Sequence, residues 1–246
     1  MNESTEINFQ KMTIGEIVTK NFSTSAIFEK FGLDFCCNGN VNFSEACLKK
    51  GVEDSAVTTE LKNIFSAGNQ SRESFDKWDL DILADYIVLH HHSYVQEKIP
   101  VITEFGQRVL NAHSSNHPEV IPICRLFEQV KNELEGHMFK EEKILFPRIK
   151  QMAEAKRNNV TLPAAHFGTI ANPIRMMEAE HISAGDALHE IQRLSNNHLP
   201  PEDACNTFKA FYFELQAFEN DLHKHIHLEN NILFPKSIKL EAAIVV

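Results

Sequence analysis

The sequence lacks long apolar runs and clusters of basic residues. A membrane-spanning helix needs about 20 consecutive apolar residues, and no run here approaches that length, so we expect no membrane segment. Nucleic-acid binding usually requires a positive surface, whereas the formal net charge of this chain is −10, so no nucleic-acid partner is expected. The first residues, MNESTEINF, lack the basic start and apolar core of a secretion signal. We therefore expect a cytoplasmic protein.

Cysteine is also scarce, with five in 246 residues. Small secreted domains need disulfide frameworks, and a chain of this length does not, because 43% hydrophobic residues suffice for a core. Cys47, Cys124 and Cys205 are expected to be ordinary buried thiols. Cys36 and Cys37 are adjacent, and a disulfide between neighbours closes a strained ring. We expect this pair to be reduced as well.

The polar stretch SAGNQSRESFDK separates a short N-terminal part from the rest of the chain. We expect a small helical domain over residues 1–65, a linker over 66–78 and a second domain over 79–246. Thr13 and Glu16 have the spacing of a capping box, which marks a helix start. Further short helices are expected at Ser25 to Phe31, ending at Gly32, at Ser44 to Lys50, and at Ser55 to Phe65.

The second domain contains four long helical patterns, in which apolar residues recur every three or four positions. Four amphipathic helices of this length fold most simply as an antiparallel four-helix bundle, so the expected fold class is all-α. Pro147 and Pro235 fall late in their helices and are expected to bend or end them. The segments lie at about 79–111, 122–153, 173–196 and 201–239.

One motif occurs twice, as HMFKEEKILFP from His137 to Pro147 and as HIHLENNILFP from His225 to Pro235. Residues four apart lie on the same helix face, so each copy presents an imidazole and a carboxylate together. Both pairs continue an apolar stripe, which in the first copy extends to Ile144, and therefore face the core. A buried carboxylate is costly unless it meets a cation or a strong donor. A third stripe contains His181.

A bound metal resolves this cost. Imidazole and carboxylate ligands without thiolate suit iron or manganese better than structural zinc. If two ions share both carboxylates and each binds two imidazoles, one coordination position per ion stays open after a bridging solvent ligand. The first helix must supply the fourth imidazole from His90, His91 and His92. Periodicity places His91 nearest the centre of the stripe and His92 on its flank, and does not settle the choice.

The other histidines lie in loops or off the apolar stripes, and we interpret them as structural or surface residues. They are His113, His117, His166, His189, His198, His223 and His227.

The motifs together resemble a known family. The tract DFCCNG, followed by HHSYV, HMFKEEKILFP, EAEH and HIHLENNILFP, is similar to the repair of iron centres family of the ScdA/YtfE type over nearly the whole chain. The resemblance implies a hemerythrin-like bundle with a non-haem di-iron centre, bound by four His and two bridging Glu. Its implied function is the repair of iron-sulfur clusters damaged by nitric oxide or oxidants.

The resemblance also implies which residues bind the two iron ions, which would carry an oxo or hydroxo bridge. It favours His92 over His91, because of the distance from Pro100. Glu133 and Glu180 are weaker candidates for tuning or relaying the metal. The implied ligands are His92, His137, Glu141, His181, His225 and Glu229.

Cys36 and Cys37 are interpreted as a catalytic pair that handles redox equivalents or metal on an exposed turn at Asn38 and Gly39. The alternative is that the two cysteines are small residues that pack a loop. Joint binding of one ion by both is not expected, because adjacent cysteines rarely do so in relaxed geometry. Expected partners are damaged iron-sulfur proteins, nitric oxide, oxygen or peroxide, and a second copy of the chain in a homodimer. Whether turnover is catalytic stays open. The alternative functions are an oxygen- or nitric-oxide-binding or sensing module without repair activity, and a structural bundle.

Overall fold

The structure, a computed structural model, describes residues 7–66 and 74–245. Within this part of the chain there are helices and no β-strand, which confirms the all-α fold class. The chain divides into two compact units, residues 1–79 with 226–235, and residues 80–225 with 236–246. Most of the predicted linker, at 67–73, lies outside the described residues.

Among the described residues before 67, the first unit contains four short α-helices with clear local signals. The predicted capping box is confirmed, since Glu16 N donates to Thr13 Oγ1 over 3.1 Å and Thr13 N donates to Glu16 Oε2 over 2.9 Å. Gly32 has a φ of 65°, a left-handed conformation that glycine adopts without strain and that follows the second helix. The helices are α1 (Ile14–Lys20), α2 (Ser25–Lys30), α3 (Phe43–Lys50) and α4 (Asp54–Ser66).

Aromatic rings form the core of the first unit. Phe28 lies 6.5 Å from both Phe35 and Phe43, measured between ring centroids. The ring of His227 lies 5.8 Å from Phe35 and from Phe22. Burial lowers the pKa of His227 to about 3, so this imidazole is a neutral part of the apolar core.

The remaining α-helices form four long helical segments, which we call arms. In three arms, two α-helices are joined by a π-helical segment, at Ile87–His92, Glu141–Leu145 and Glu229–Leu233. The remaining arm is the single helix α9. The helices are α5 (Leu80–Tyr86), α6 (Ser93–His113), α7 (Val120–Lys140), α8 (Phe146–Arg157), α9 (Ala171–Leu194), α10 (Asn206–Leu228) and α11 (Phe234–Ile244).

Contacts between the arms fix their directions. His91 pairs with Asp221 and Lys98 pairs with Glu214, so residue numbers rise along one arm as they fall along the other. The second and third arms behave alike, because Glu133 contacts Ser183 while the later His137 contacts the earlier Glu180. The predicted antiparallel bundle is confirmed.

The π-helical segments explain why one expectation from the sequence, the burial of Ile144, was wrong. Ile144 was expected on the buried stripe, but it is 39% exposed, whereas Leu145 is 1% exposed. A π turn inserts an extra residue, so the inward position moves by one. The same segment explains why Pro147 does not end its helix, which continues to Arg157: the carbonyl four residues earlier belongs to Lys143, inside the π turn.

All five cysteines are free thiols, as expected, but they are not equally buried. Cys47 lies in the core, Cys124 is half-buried and Cys205 is exposed, so the expectation of buried thiols was wrong for Cys205. Cys205 follows the turn before α10, where its Sγ lies 3.2 Å from His113 Nε2. Burial still raises the pKa of Cys124 to about 11.

Candidate metal centre

The arms bring six buried His and Glu side chains together. They form two sets of four, and within each set the donor atoms lie within 4.8 Å of one another. Glu141 and Glu229 belong to both sets. The six are the residues that the sequence resemblance implies as ligands. The first set is His92, Glu141, His225 and Glu229, and the second is His137, Glu141, His181 and Glu229.

The spacing of these donors fits bound metal ions. Nε2 of His92 lies 3.3 Å from Glu141 Oε2, and Nε2 of His137 lies 3.2 Å from the same oxygen. The Nε2 atoms of His137 and His181 are 3.1 Å apart. Two neighbouring ligands on an octahedral ion, each about 2.1 Å from it, lie about 3.0 Å apart. The nitrogen and oxygen donors therefore suit cations such as iron or manganese.

A π segment places His92 rather than His91 in the donor sets. An ordinary helix would put His91, four residues after Ile87, on the inward stripe. Because residues 87–92 form a π turn, the fifth residue, His92, takes that place instead. Both rings are buried, while His90 is exposed and its ring lies 4.3 Å from that of Tyr86, tilted by 38°. The π-helical geometry supplies the physical reason why periodicity pointed to the neighbour.

Two carboxylates outside the donor sets orient the imidazoles. His92 Nδ1 donates to Glu142 Oε1 over 2.9 Å, and His137 Nδ1 donates to Glu180 Oε2 over 3.0 Å. With the proton on Nδ1, the Nε2 lone pair of each ring faces the shared carboxylates. Lys140 also binds Glu180. The hydrogen bond from His137, reinforced by Lys140, lowers the pKa of Glu180 to about 2.

These partners were only partly anticipated. Glu180 was a candidate for tuning the metal, and it does contact His137. Glu133 accepts a hydrogen bond from Ser183 over 3.0 Å and belongs to neither donor set. Sequence reasoning missed Glu142, whose only signal was its position directly after Glu141. The partner of His92 lies 50 residues away in the chain, so no local pattern identifies it.

His91 has a separate role beside the cluster. Its Nδ1 donates to Asp221 Oδ1 over 3.0 Å. Its ring stacks on the ring of His225, with centroids 5.6 Å apart and an interplanar angle of 11°. The Asp221 contact therefore fixes a ring that packs flat against a member of the first donor set.

The cysteine pair lies in the first unit, on a turn that begins at Asp34. Cys36 is buried, at 4% exposure, and Cys37 is half-buried, so the expectation of an exposed pair was wrong for Cys36. Their Sγ atoms are 3.8 Å apart. The hydrogen bond with Cys37, burial and the nearby Asp34 carboxylate raise the pKa of the Cys36 thiol well above its usual value.

Two family models match the chain. Residues 10–64 match the ScdA N-terminal family, described as a domain of unknown function. Residues 83–237, more than half of the chain, match the hemerythrin HHE cation binding domain.

Curated relatives match over nearly their whole length. A probable iron-sulfur cluster repair protein of Haemophilus influenzae is 31% identical over 231 residues, covering 94% of this chain and 98% of the relative. The iron-sulfur cluster repair protein YtfE of an Enterobacter species is 32% identical over 235 residues, with 94% and 98% covered. YtfE of Escherichia coli is 31% identical over 231 residues, again with 94% and 98% covered.

The bundle and its buried His/Glu cluster define a hemerythrin-like cation-binding protein. With its N-terminal ScdA-type domain, the chain belongs to the ScdA/YtfE-type family of iron-sulfur cluster repair proteins. None of the helices among the described residues combines the length and the hydropathy that a membrane span requires.

Proposed function

We propose that this protein holds a non-haem di-iron centre and uses it to repair iron-sulfur clusters damaged by nitrosative or oxidative stress. The observation that carries the proposal is the sharing of Glu141 and Glu229 between two buried donor sets. His92 and His225 would hold one ion, and His137 and His181 would hold the other.

The donor count supports a redox-active site rather than a purely structural one. Two imidazoles and both shared carboxylates would be available to each ion, which makes four protein donors. Four protein donors would leave an ion that prefers octahedral coordination with room for small molecules. A bound iron pair would supply electron exchange and small-molecule binding at this place. The protein's own contribution is to exclude bulk water and, through Glu142 and Glu180, to hold the imidazoles in one orientation.

The names of the relatives support proteins with damaged iron-sulfur clusters as the partners of this chain. The curated relatives are named as iron-sulfur cluster repair proteins, and they cover the N-terminal domain as well as the bundle. We therefore assign proteins with damaged clusters as partners and keep Cys36 and Cys37 as residues that assist the transfer or redox step. A cytoplasmic location and a homodimer stay predictions from the sequence.

A reactivation assay tests the repair function. A dehydratase whose [4Fe–4S] cluster has been damaged by nitric oxide is incubated anaerobically with the iron-loaded chain. We expect its activity to return with the wild-type chain and not with Glu141→Ala/Glu229→Ala, because the double variant loses both shared ligands. Glu128→Gln, which changes an exposed carboxylate on α7, is the matched control and should reactivate like wild type.

The outcomes separate the competing functions. Reactivation by the double variant would contradict a role for the centre. An iron-loaded wild-type chain that binds nitric oxide without restoring the dehydratase would overturn repair and favour an oxygen- or nitric-oxide-sensing module.

A further inference from the structure

The turn from Asp34 to Asn38 directs two thiols and a carboxylate to one place in the first unit. Asp34 Oδ1 accepts hydrogen bonds from the backbone N–H groups of Cys36, over 3.2 Å, and Cys37, over 2.9 Å. Asn38 Nδ2 donates to the other oxygen of Asp34 over 2.6 Å. A side-chain carboxylate that accepts from the backbone two residues later forms an Asx turn. The backbone around the pair is thus set by Asp34 itself.

The donor atoms have the spacing of metal ligands. Cys36 Sγ lies 3.2 Å from Asp34 Oδ1 and 3.8 Å from Cys37 Sγ. All three side chains have donor atoms within 4.8 Å of one another. Two thiolates that bind one tetrahedral ion at about 2.3 Å lie about 3.8 Å apart. Adjacent cysteines rarely reach this geometry, and here the Asx turn provides it.

We propose that Asp34, Cys36 and Cys37 form a second metal site, for a divalent transition metal ion that accepts thiolate ligands, such as Fe²⁺ or Zn²⁺. This site is chemically distinct from the His/Glu centre, which contains no sulfur donor. Binding releases the two thiol protons to solvent and forms two metal–sulfur bonds and one metal–oxygen bond. No electron is transferred. The proposal goes beyond the repair function and does not depend on it.

Contacts around the turn keep the ligands in place before any ion binds. Asn230 Nδ2 donates to Cys36 O over 3.2 Å, and Asn231 Nδ2 donates to Phe35 O over 3.2 Å. Gly39 packs tightly, because a Cβ there would lie 2.5 Å from Phe35 O and would also meet Asn231. A ligand set ordered in advance loses less conformational entropy on binding.

The surroundings also provide access and charge balance. Asp34 and Cys37 are half-buried, and a cavity of about 310 Å³ opens beside Asp34 and Asn38. That cavity has room for a non-protein fourth ligand. Two thiolates and one carboxylate leave a net charge of about −1 around a divalent ion, and Lys49 and Lys50 on the cavity wall offset it.

Cobalt titration tests the site in the full-length chain. The metal-depleted, reduced protein is titrated anaerobically with Co²⁺, and sulfur-to-cobalt charge-transfer absorption is followed, because the His/Glu centre cannot produce it. We expect these bands to saturate at one thiolate-bound Co²⁺ per chain. Zn²⁺ should in turn protect Cys36 and Cys37 of the wild-type chain from alkylation, a readout that needs no variant.

Three variants test which residues produce the sulfur-to-cobalt charge-transfer bands. Cys36→Ser/Cys37→Ser should abolish them, and Asp34→Asn should weaken Co²⁺ binding at least about tenfold, on the scale of a lost metal-site interaction. Asn keeps an oxygen that accepts from the backbone, so this variant preserves the turn while removing the charge. Cys47→Ala removes another buried thiol of the same unit and should leave the bands unchanged. Absence of bands and of protection in wild type, or bands that persist in the double cysteine variant, would overturn the proposal.

Discussion

The two halves of the bundle bury very different side chains. Near one end, aromatic rings pack together: Phe127 and Phe218 are 5.5 Å apart with their planes at 73°, and Phe208 and Tyr212 are 4.9 Å apart at 84°. In the other half, the core holds carboxylates, and Glu141 and Glu229 are both 0% exposed. The aromatic half also buries Glu219, but this carboxylate is paired with His198 over 2.7 Å, whereas the other half concentrates two carboxylates among four imidazoles.

The two halves contribute differently to stability and to metal binding. Edge-to-face aromatic packing stabilises the folded chain whether or not an ion is bound. Buried carboxylates cost free energy unless a cation or strong hydrogen-bond donors compensate them. We therefore expect a bound metal ion to stabilise the folded state of the His/Glu half. The aromatic half therefore stabilises the fold without a ligand, whereas the other half would gain stability from a bound metal ion.

Removal of a buried aromatic side chain from the aromatic half should lower stability more than any other substitution proposed below. Phe218→Ala should lower the free energy of unfolding by about 3–5 kcal/mol, because Phe218 is fully buried and its removal leaves a cavity. Urea denaturation followed by circular dichroism measures this change. Phe213→Ala on the same helix is the control: Phe213 is 68% exposed, and its replacement should change stability by less than about 0.5 kcal/mol. Equal losses in the two variants would contradict the aromatic half as the stable core.

Metal binding should stabilise the protein through the His/Glu half and not through the aromatic half. Anaerobic Fe²⁺ at about 100 times its dissociation constant should raise the free energy of unfolding of wild type by about 2.7 kcal/mol per site. In a Cys36→Ser/Cys37→Ser background, which removes the second proposed metal site, Glu141→Gln/Glu229→Gln should lose this increment, because the shared anionic ligands become neutral amides. Phe218→Ala should retain it, since distant and independent sites contribute additively. An undiminished increase in the double Gln variant would show that Glu141 and Glu229 are not the metal ligands.

A smaller effect is expected at the partner of His92. Glu142→Gln should weaken iron binding about 10–100-fold, as substitutions of residues that orient metal-bound imidazoles do. Competition with a chelator of known affinity measures the change. Glu128→Gln, at an exposed carboxylate that pairs with Lys131, should leave affinity unaltered. If both variants bind iron like wild type, Glu142 does not position the ligand.

The sequence predicted helices and caps well, because their signals are local. Alternation every three or four residues identified the four arms, and Thr13 with Glu16 marked a helix start that the structure confirms. The repeated His-x-x-x-Glu spacing identified two pairs that the structure places on a shared cluster.

The rest depended on features that no local pattern contains. A π turn shifts the helix by one residue, which exposes Ile144 and moves the inward place from His91 to His92. Long-range contacts, such as Asp221 with His91, connect residues 130 positions apart. The convergence of Asp34 with the cysteine pair arises from side-chain hydrogen bonds to the backbone, which apolar periodicity does not reveal.

We expect two metal ions to share Glu141 and Glu229. The decisive measurement is iron counting with Mössbauer spectroscopy on the anaerobically reconstituted chain, with the cysteine pair replaced by serine so that only the His/Glu centre is loaded. It should find two irons per chain in a single magnetically coupled pair, and this pair should be lost in Glu141→Ala/Glu229→Ala. One iron per chain, or a coupled pair that survives the double substitution, would show that the two carboxylates are not shared.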